Sequence, residues 1–395
     1  MDRRAMAALS GGHFTTDFAG GALPALVPFI HDRFHLDYLL SAVLILASSV
    51  SSSVIQPLFG LWSDRRGALW LLPLGVAVSG VGIGLAADAP RYWLVCLLVI
   101  VSGVGVAAFH PEGSKLAAYA SGPQRASGMS IFSVGGNVGY ALGPAIAAPL
   151  VIWLGLRGGL LIALPGLLVA AALLAASPFL RTFVPAARPT RREAGEDRPG
   201  AMAVLITMIA FRSITWFGLI TFVPLWERAH GHSRAYGDLV LTLMLACGAV
   251  GTLVLGPVAD RVGGRRVMIA TQALVCPLAL VFVLVGGIAG VVALAPLAAC
   301  VVGTFGVTLV LSQQYLPRHI GMASGLTAGL SIGLGGIAAV ALGAVGDSIG
   351  LRDALLIAAA APLAGLLLAT RLPRSGRRLD GSPPTRGEEA GWQAA

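Results

Sequence analysis

His110, Pro111, Glu112 and Lys115 fall within six positions of the stretch FHPEGSKLA, residues 109–117, and Lys115 is the only lysine in the chain. They close an apolar run that begins near Tyr92. A charge at the centre of a bilayer costs about 2.5–3.5 kcal/mol even on a permissive scale, so such residues pair, face a cavity or titrate. A carboxylate beside low-dielectric walls holds its proton more tightly, and a neighbouring cation reverses this. Glu112, modulated by His110 and Lys115, is therefore the first candidate for a proton carrier. Asp17, four residues after His13 in another apolar stretch, is the second. Each has a static alternative. Glu112 can be the fixed partner of Lys115 at i+3, Asp17 the hydrogen-bond partner of His13, and Lys115 a helix-end residue reaching for water.

The elements that position these groups follow from composition. The 395 residues are 56% hydrophobic and 11% charged, with a mean hydropathy of +0.83. So few charges do not cover a soluble domain, and apolar runs of about 20 residues recur throughout, as membrane-spanning helices require. The chain reads as an all-α polytopic membrane protein. Cys96, Cys247, Cys276 and Cys300 all lie in apolar runs without a C-x-x-C pair, which indicates neither a disulfide framework nor a zinc site. No metal or cofactor is expected. With no H-E-x-x-H or phosphate-binding glycine loop, neither is an enzyme. The opening MDRRAMAALSGGHFTTDF lacks an uninterrupted apolar core and reads as the start of the first span. The net charge of +9 suggests nucleic acid, but the arginines punctuate span boundaries, which assigns them to topology.

About twelve spans are expected, near 6–30, 38–60, 68–87, 92–116, 125–151, 155–178, 201–226, 237–257, 267–287, 290–312, 321–347 and 352–372. The polar, Pro- and Arg-rich stretch 181–200 reads as a flexible connector between bundles 1–180 and 201–372, and 373–395 as a disordered tail. Of the 27 basic residues, 20 fall on the side of the connector and termini and 6 on the other, with Arg212 inside a span. That excess predicts a cytoplasmic location for the connector and both termini. The halves repeat at an offset of 196, which places Gly60 on Gly256, Asp64 on Asp260 and Pro28 on Pro224. At 197, ASG at 126–128 falls on ASG at 323–325. Duplication of a six-span half is a mark of secondary transporters.

GLWSDRRG (60–67) and GPVADRVGGRR (256–266) carry a G-x-x-x-D-R-x-G pattern that resembles the signature of the major facilitator superfamily. The resemblance implies twelve helices in two pseudo-symmetric six-helix bundles. It also implies a conformational latch made of Gly60, Asp64, Arg65 and Gly67 in one loop and Gly256, Asp260, Arg261, Arg265 and Arg266 in the other. The first copy departs after Gly67, with Ala68 and Leu69 in place of further basic residues. A narrower set, His13 with Asp17, QPLFGLWSD (56–64), FHPEGSK and FSVGGNVGYALGP (132–144), resembles the fosmidomycin-resistance branch, bacterial exporters driven by proton entry. Lys115, where arginine is more usual, and Thr16 depart from it. Gly139, Gly143 and Pro144 resemble the antiporter motif of the fifth span, although they serve equally as a smooth face for helix packing.

Arg212 lies about 16 Å into the seventh span and pairs with Thr16 at the repeat offset, so it is expected at the cavity that Asp17 faces. There it would bind a carboxylate or phosphonate bidentately or form a salt bridge with Asp17. Asn137, Lys115 and Trp216 are further candidates for substrate contact; an interhelical hydrogen bond for Asn137 and core packing for Trp216 are the alternatives. Taken with the resemblance, the implied function is a proton-coupled efflux antiporter for small anionic drugs. It would work by alternating access as a monomer in the bacterial inner membrane, with protons, a small-molecule substrate and the lipid bilayer as its partners. Uptake or exchange of an organic anion or sugar phosphate competes with that reading, as does a transport-dead sensor that docks partners on 181–200.

Overall fold

The computed structural model describes residues 1–36, 38–185 and 196–373. Residues 186–195 of the connector and the tail beyond Pro373 lie outside the described residues. The helices are α1 Arg3–Phe34, α2 Tyr38–Arg66, α3 Leu71–Asp88, α4 Tyr92–Ser121, α5 Arg125–Leu154 and α6 Ala163–Arg181. The second half holds α7 Pro199–Ala229, α8 Arg234–Val262, α9 Gly264–Leu280, α10 Gly287–Gly303, α11 Phe305–Tyr315, α12 Ile320–Ile349 and α13 Leu351–Arg371. Among the described residues, eleven helical stretches are long and apolar enough to cross a membrane. The remaining crossing is α1, whose apolar stretch is diluted by His13, Thr15, Thr16, Asp17 and two prolines.

Three expected spans have irregular structure. The sixth opens as a 3-10 segment, Leu156–Ile162, and the ninth ends in a π turn, Val281–Val285. The tenth breaks at Thr304 into α10 and α11. Gly303 is in backbone contact with Gly251 there; a Cβ at Gly303 would lie 2.6 Å from the Gly251 carbonyl carbon.

The hydrophobic core forks. One buried cluster runs through both halves at the connector end, joining Met6, Phe109, Leu116 and Phe132 to Met208, Met268, Leu311 and Tyr315. Towards the other end the core divides. Phe18, Leu26, Ile83 and Val99 belong to a cluster of the first half alone, and Leu219, Phe222, Met244 and Leu355 to one of the second half alone. The two bundles are thus packed together at the connector face.

Across the halves, α2 packs on α12 and α5 on α8. A Cβ at Gly60 would strike the Gly321 carbonyl, and one at Gly325 would lie 2.8 Å from the Gln56 carbonyl. On the other side a Cβ at Gly256 would strike Ser130. Glycine allows both contacts because it has no side chain. Within the first half, α1 meets α5 along Gly135, Gly139 and Gly143, where the same test places a Cβ against the backbone of Ser10, Phe14 and Gly21–Ala22. Helix α5 continues through Pro144 without interruption.

Candidate functional site

A histidine–aspartate–histidine cluster joins α1 to α4. Asp17 is one helical turn beyond His13, so both occupy one face of α1, and α4 brings His110 to the opposite side of the carboxylate. His13 Nε2 lies 3.2 Å from Asp17 Oδ2, and His110 Nε2 lies 3.1 Å from Asp17 Oδ1. Each imidazole is fixed from behind: His13 Nδ1 is 2.7 Å from the Phe132 carbonyl and His110 Nδ1 is 2.9 Å from that of Val106. The His13 ring also stacks on Phe132, with centroids 4.2 Å apart. His13 and His110 are buried, and Asp17 is the more exposed member, with 22% of its side chain accessible.

A carbonyl only accepts, so each Nδ1 that rests on one carries its hydrogen. That turns both Nε2 atoms to the Asp17 carboxylate, where each can share a proton with an oxygen or offer its lone pair.

Glu112, the first candidate proton carrier on sequence, is paired with Lys115. It is 2% exposed and its Oε2 lies 2.8 Å from Lys115 Nζ. Ser63 of α2 bridges the pair, donating to Glu112 and accepting from Lys115. This buried trio pins α4 to the end of α2. The neighbouring Ser114 carbonyl accepts from Gln313 Nε2 of α11 at 3.5 Å, and Gln313 also donates to Ser324 of α12 at 3.0 Å.

Asp64, next to Ser63, reaches into the other half. Its carboxylate accepts from the amides of Gly321 (2.8 Å) and Met322 (2.9 Å) in the first turn of α12. Asp260 does the same to α5, accepting from Ala126 (3.0 Å) and Ser127 (2.9 Å) and from the Ser127 hydroxyl (2.5 Å). These amides are unpaired in any helix and lie at its positive end. Measured from the helix starts, Arg125 and Ile320, the capped amides occupy identical positions. The structural equivalence is therefore an offset of 195, which corrects the 197 read from the two ASG triplets. The turns after both acids need glycine, with Gly67 at φ +65° and Gly263 at φ +94°. Arg65 and Arg261 are exposed. Arg265 donates to the Thr370 carbonyl at 2.6 Å, closing the end of α13, and Arg266 donates to the Val262 carbonyl at 3.4 Å.

Arg212 is not beside Asp17. It is buried and donates through Nη1 to Thr304 Oγ1 at 2.8 Å and the Val301 carbonyl at 3.4 Å, at the break between α10 and α11. Its repeat counterpart Thr16 is likewise turned into its own bundle, wholly buried with its hydroxyl on the Gly12 carbonyl. The next residue, Asp17, is the more accessible one at that level, with 22% of its side chain exposed. Asn137 is exposed two helical turns from Ser130, on the α5 face that meets the second half. Trp216 is half-buried against the core of the second half. Reading the sequence missed Ser63, Gln313 and Thr304, neutral residues whose only sequence cue is proximity to a charged one or a glycine.

Two pseudo-symmetric helix bundles joined at one face, with eleven stretches among the described residues long and apolar enough to cross a membrane, define a multi-pass membrane protein. The chain belongs to the Major Facilitator Superfamily, whose family model matches residues 9–340 and 205–394. It is 31% identical to the MFS-type transporter YfnC of Bacillus subtilis over 376 residues, covering 90% of this chain and 89% of that one. Against the fosmidomycin resistance protein of Escherichia coli the identity is 28% over 379 residues, covering 92% and 91%. The fold is similar to that of the transporter FucP in its outward conformation, with a TM-score of 0.75 over 94% of this chain and 99% of that one at 14% identity.

Proposed function

We propose that the protein is a proton-coupled exporter of small anionic drugs of the fosmidomycin kind, with Asp17, His13 and His110 as its proton-loading site. The observation that carries this is the cluster itself: a partly accessible carboxylate shared by two buried imidazoles, each with its Nε2 turned to a carboxylate oxygen. Glu112, the first candidate on sequence, already has its charge partner in Lys115 and fits a structural role better. The similarity to the fosmidomycin resistance protein supports the substrate class. Asn137, on the face between the halves, is the substrate contact that the geometry favours. In this reading the connector face is cytoplasmic, as the distribution of basic residues requires. The structure is then closed to the cytoplasm, and the protein works as a monomer in the bacterial inner membrane.

A second reading, uptake of an organic anion together with protons, is favoured by one feature. A cluster with two bound protons carries a net positive charge, which draws an anion in with the protons and not in exchange for them. Everted membrane vesicles with an acidic lumen separate the two. Under antiport, fosmidomycin added outside dissipates the gradient in wild type but not in Asp17→Asn. Under symport the same addition acidifies the lumen further. No response to fosmidomycin in wild type would refute both the substrate class and its coupling.

A further inference from the structure

We propose that His13, Asp17 and His110 form a binding site for one divalent transition-metal ion of the Zn2+ class. Two imidazole nitrogens and one carboxylate, without thiolate, make a donor set suited to Zn2+, Co2+ or Ni2+ and poorly suited to Mg2+ or Ca2+. All three ligand atoms lie within 4.8 Å of one another. His13 Nε2 is 3.2 Å from Oδ2 and His110 Nε2 is 3.1 Å from Oδ1, each near the separation of about 3.3 Å between two donors bonded at about 2.0 Å to one tetrahedral ion, so a rotation of the carboxylate would bring one oxygen to both nitrogens.

The outer shell points the same way. Histidines that hold a metal almost always donate their other ring N–H to a carbonyl or carboxylate, which fixes the tautomer and aims the free nitrogen. Both histidines meet that condition, on the carbonyls of Phe132 and Val106. The His13 anchor comes from α5, so helix packing sets that ring, and the His110 anchor lies one turn back in α4 itself. No Lys or Arg among the described residues pairs with Asp17; its ion-pair partners are the two imidazoles, and Tyr140 of α5 is the other titratable group in electrostatic reach. Gly136 of α5 covers the cluster without a side chain, and a Cβ there would press on His13 Nε2 and Asp17 Oδ2. Three protein ligands leave a fourth position for water or a substrate oxygen, as in open zinc sites.

The test uses the full-length protein in detergent with any affinity tag removed, titrated with Co2+ at pH 8 and followed by visible absorption and by metal analysis after gel filtration. The expected result is one Co2+ per chain with intense tetrahedral bands, displaced by Zn2+. Asp17→Asn and His110→Gln are expected to weaken binding by at least roughly 100-fold, above the 10–100-fold typical for loss of an outer-shell partner. His232→Gln, which removes a separate imidazole–carboxylate pair with Glu227, is expected to bind as wild type does. Absence of stoichiometric Co2+ in wild type, or unchanged binding in a monodisperse His110→Gln, overturns the proposal. Proton-coupled transport measured with chelator present is a separate readout, so either reading can fail while the other stands.

Discussion

Replacing Asp64 by asparagine isolates what the latch contributes to closure of the connector face. In the closed structure the carboxylate takes two amide hydrogen bonds from the first turn of α12; when the halves part, water replaces them. Hydrogen bonds to charged groups contribute about 1.5–3 kcal/mol, and the positive end of a helix adds about 0.3–1 kcal/mol. Asparagine retains one acceptor oxygen but no charge, and Asp64 is half-exposed, so about 1.5–2 kcal/mol of closure is lost. At 1.4 kcal/mol per factor of ten, the closed-to-open ratio falls about 10- to 30-fold. Spin labels on cysteines at positions 66 and 371, one in each half, measure this by pulsed electron paramagnetic resonance in a cysteine-free background. Asp260→Asn is expected to act alike through α5, and the double variant to multiply the two effects because the sites share no residue. A distance distribution in Asp64→Asn equal to that of wild type would refute the reasoning.

Removing one charge of the buried pair, as in Glu112→Gln, is expected to destabilise the protein by about 3–5 kcal/mol, seen as a lower melting temperature that Lys115→Met in the same chain largely restores. The gradient response in vesicles is expected to survive in that double variant and to vanish in Asp17→Asn, the reverse of what a carrier role for Glu112 requires. Gly139→Ala sets a methyl against the Phe14 carbonyl and is expected to cost about 1–3 kcal/mol by overpacking, read by thermal denaturation in detergent. Arg212→Lys keeps the charge but not the guanidinium bonds to Thr304 and Val301; a fall in thermal stability with an unchanged transport KM is expected, and a raised KM alone would return Arg212 to the substrate.

The architecture was legible because it depends on one-dimensional signals. Apolar run length locates the crossings, and the recurrence of Asp64 and Asp260 at a fixed offset exposes the duplication. The latch acids were legible too, but their partners were not: a carboxylate that caps a helix needs only backbone amides, which every sequence supplies. The same holds for the triad. His13 and Asp17 are visible as an i, i+4 pair, but their third member depends on the rotation of α4 and the carbonyl behind His13 on that of α5. For Glu112 and Arg212 the sequence shows that a charge is buried without showing which way it turns. Ser63 and Thr304 decide that, and hydroxyl residues are too common in apolar helices to stand out.

The two latch contacts have a consequence for assembly. Exchanging the halves maps α2 on α12 into α8 on α5, and Asp64 on the α12 amides into Asp260 on the α5 amides. Residue i of one half grips residue j of the other while its counterpart returns the same grip, the defining property of an isologous interface between identical subunits. Each half therefore carries both a hook and its eye. The six spans of each half present a two-fold interface, and a chain severed between α6 and α7 keeps the Asp64 and Asp260 contacts that recognise the partner half.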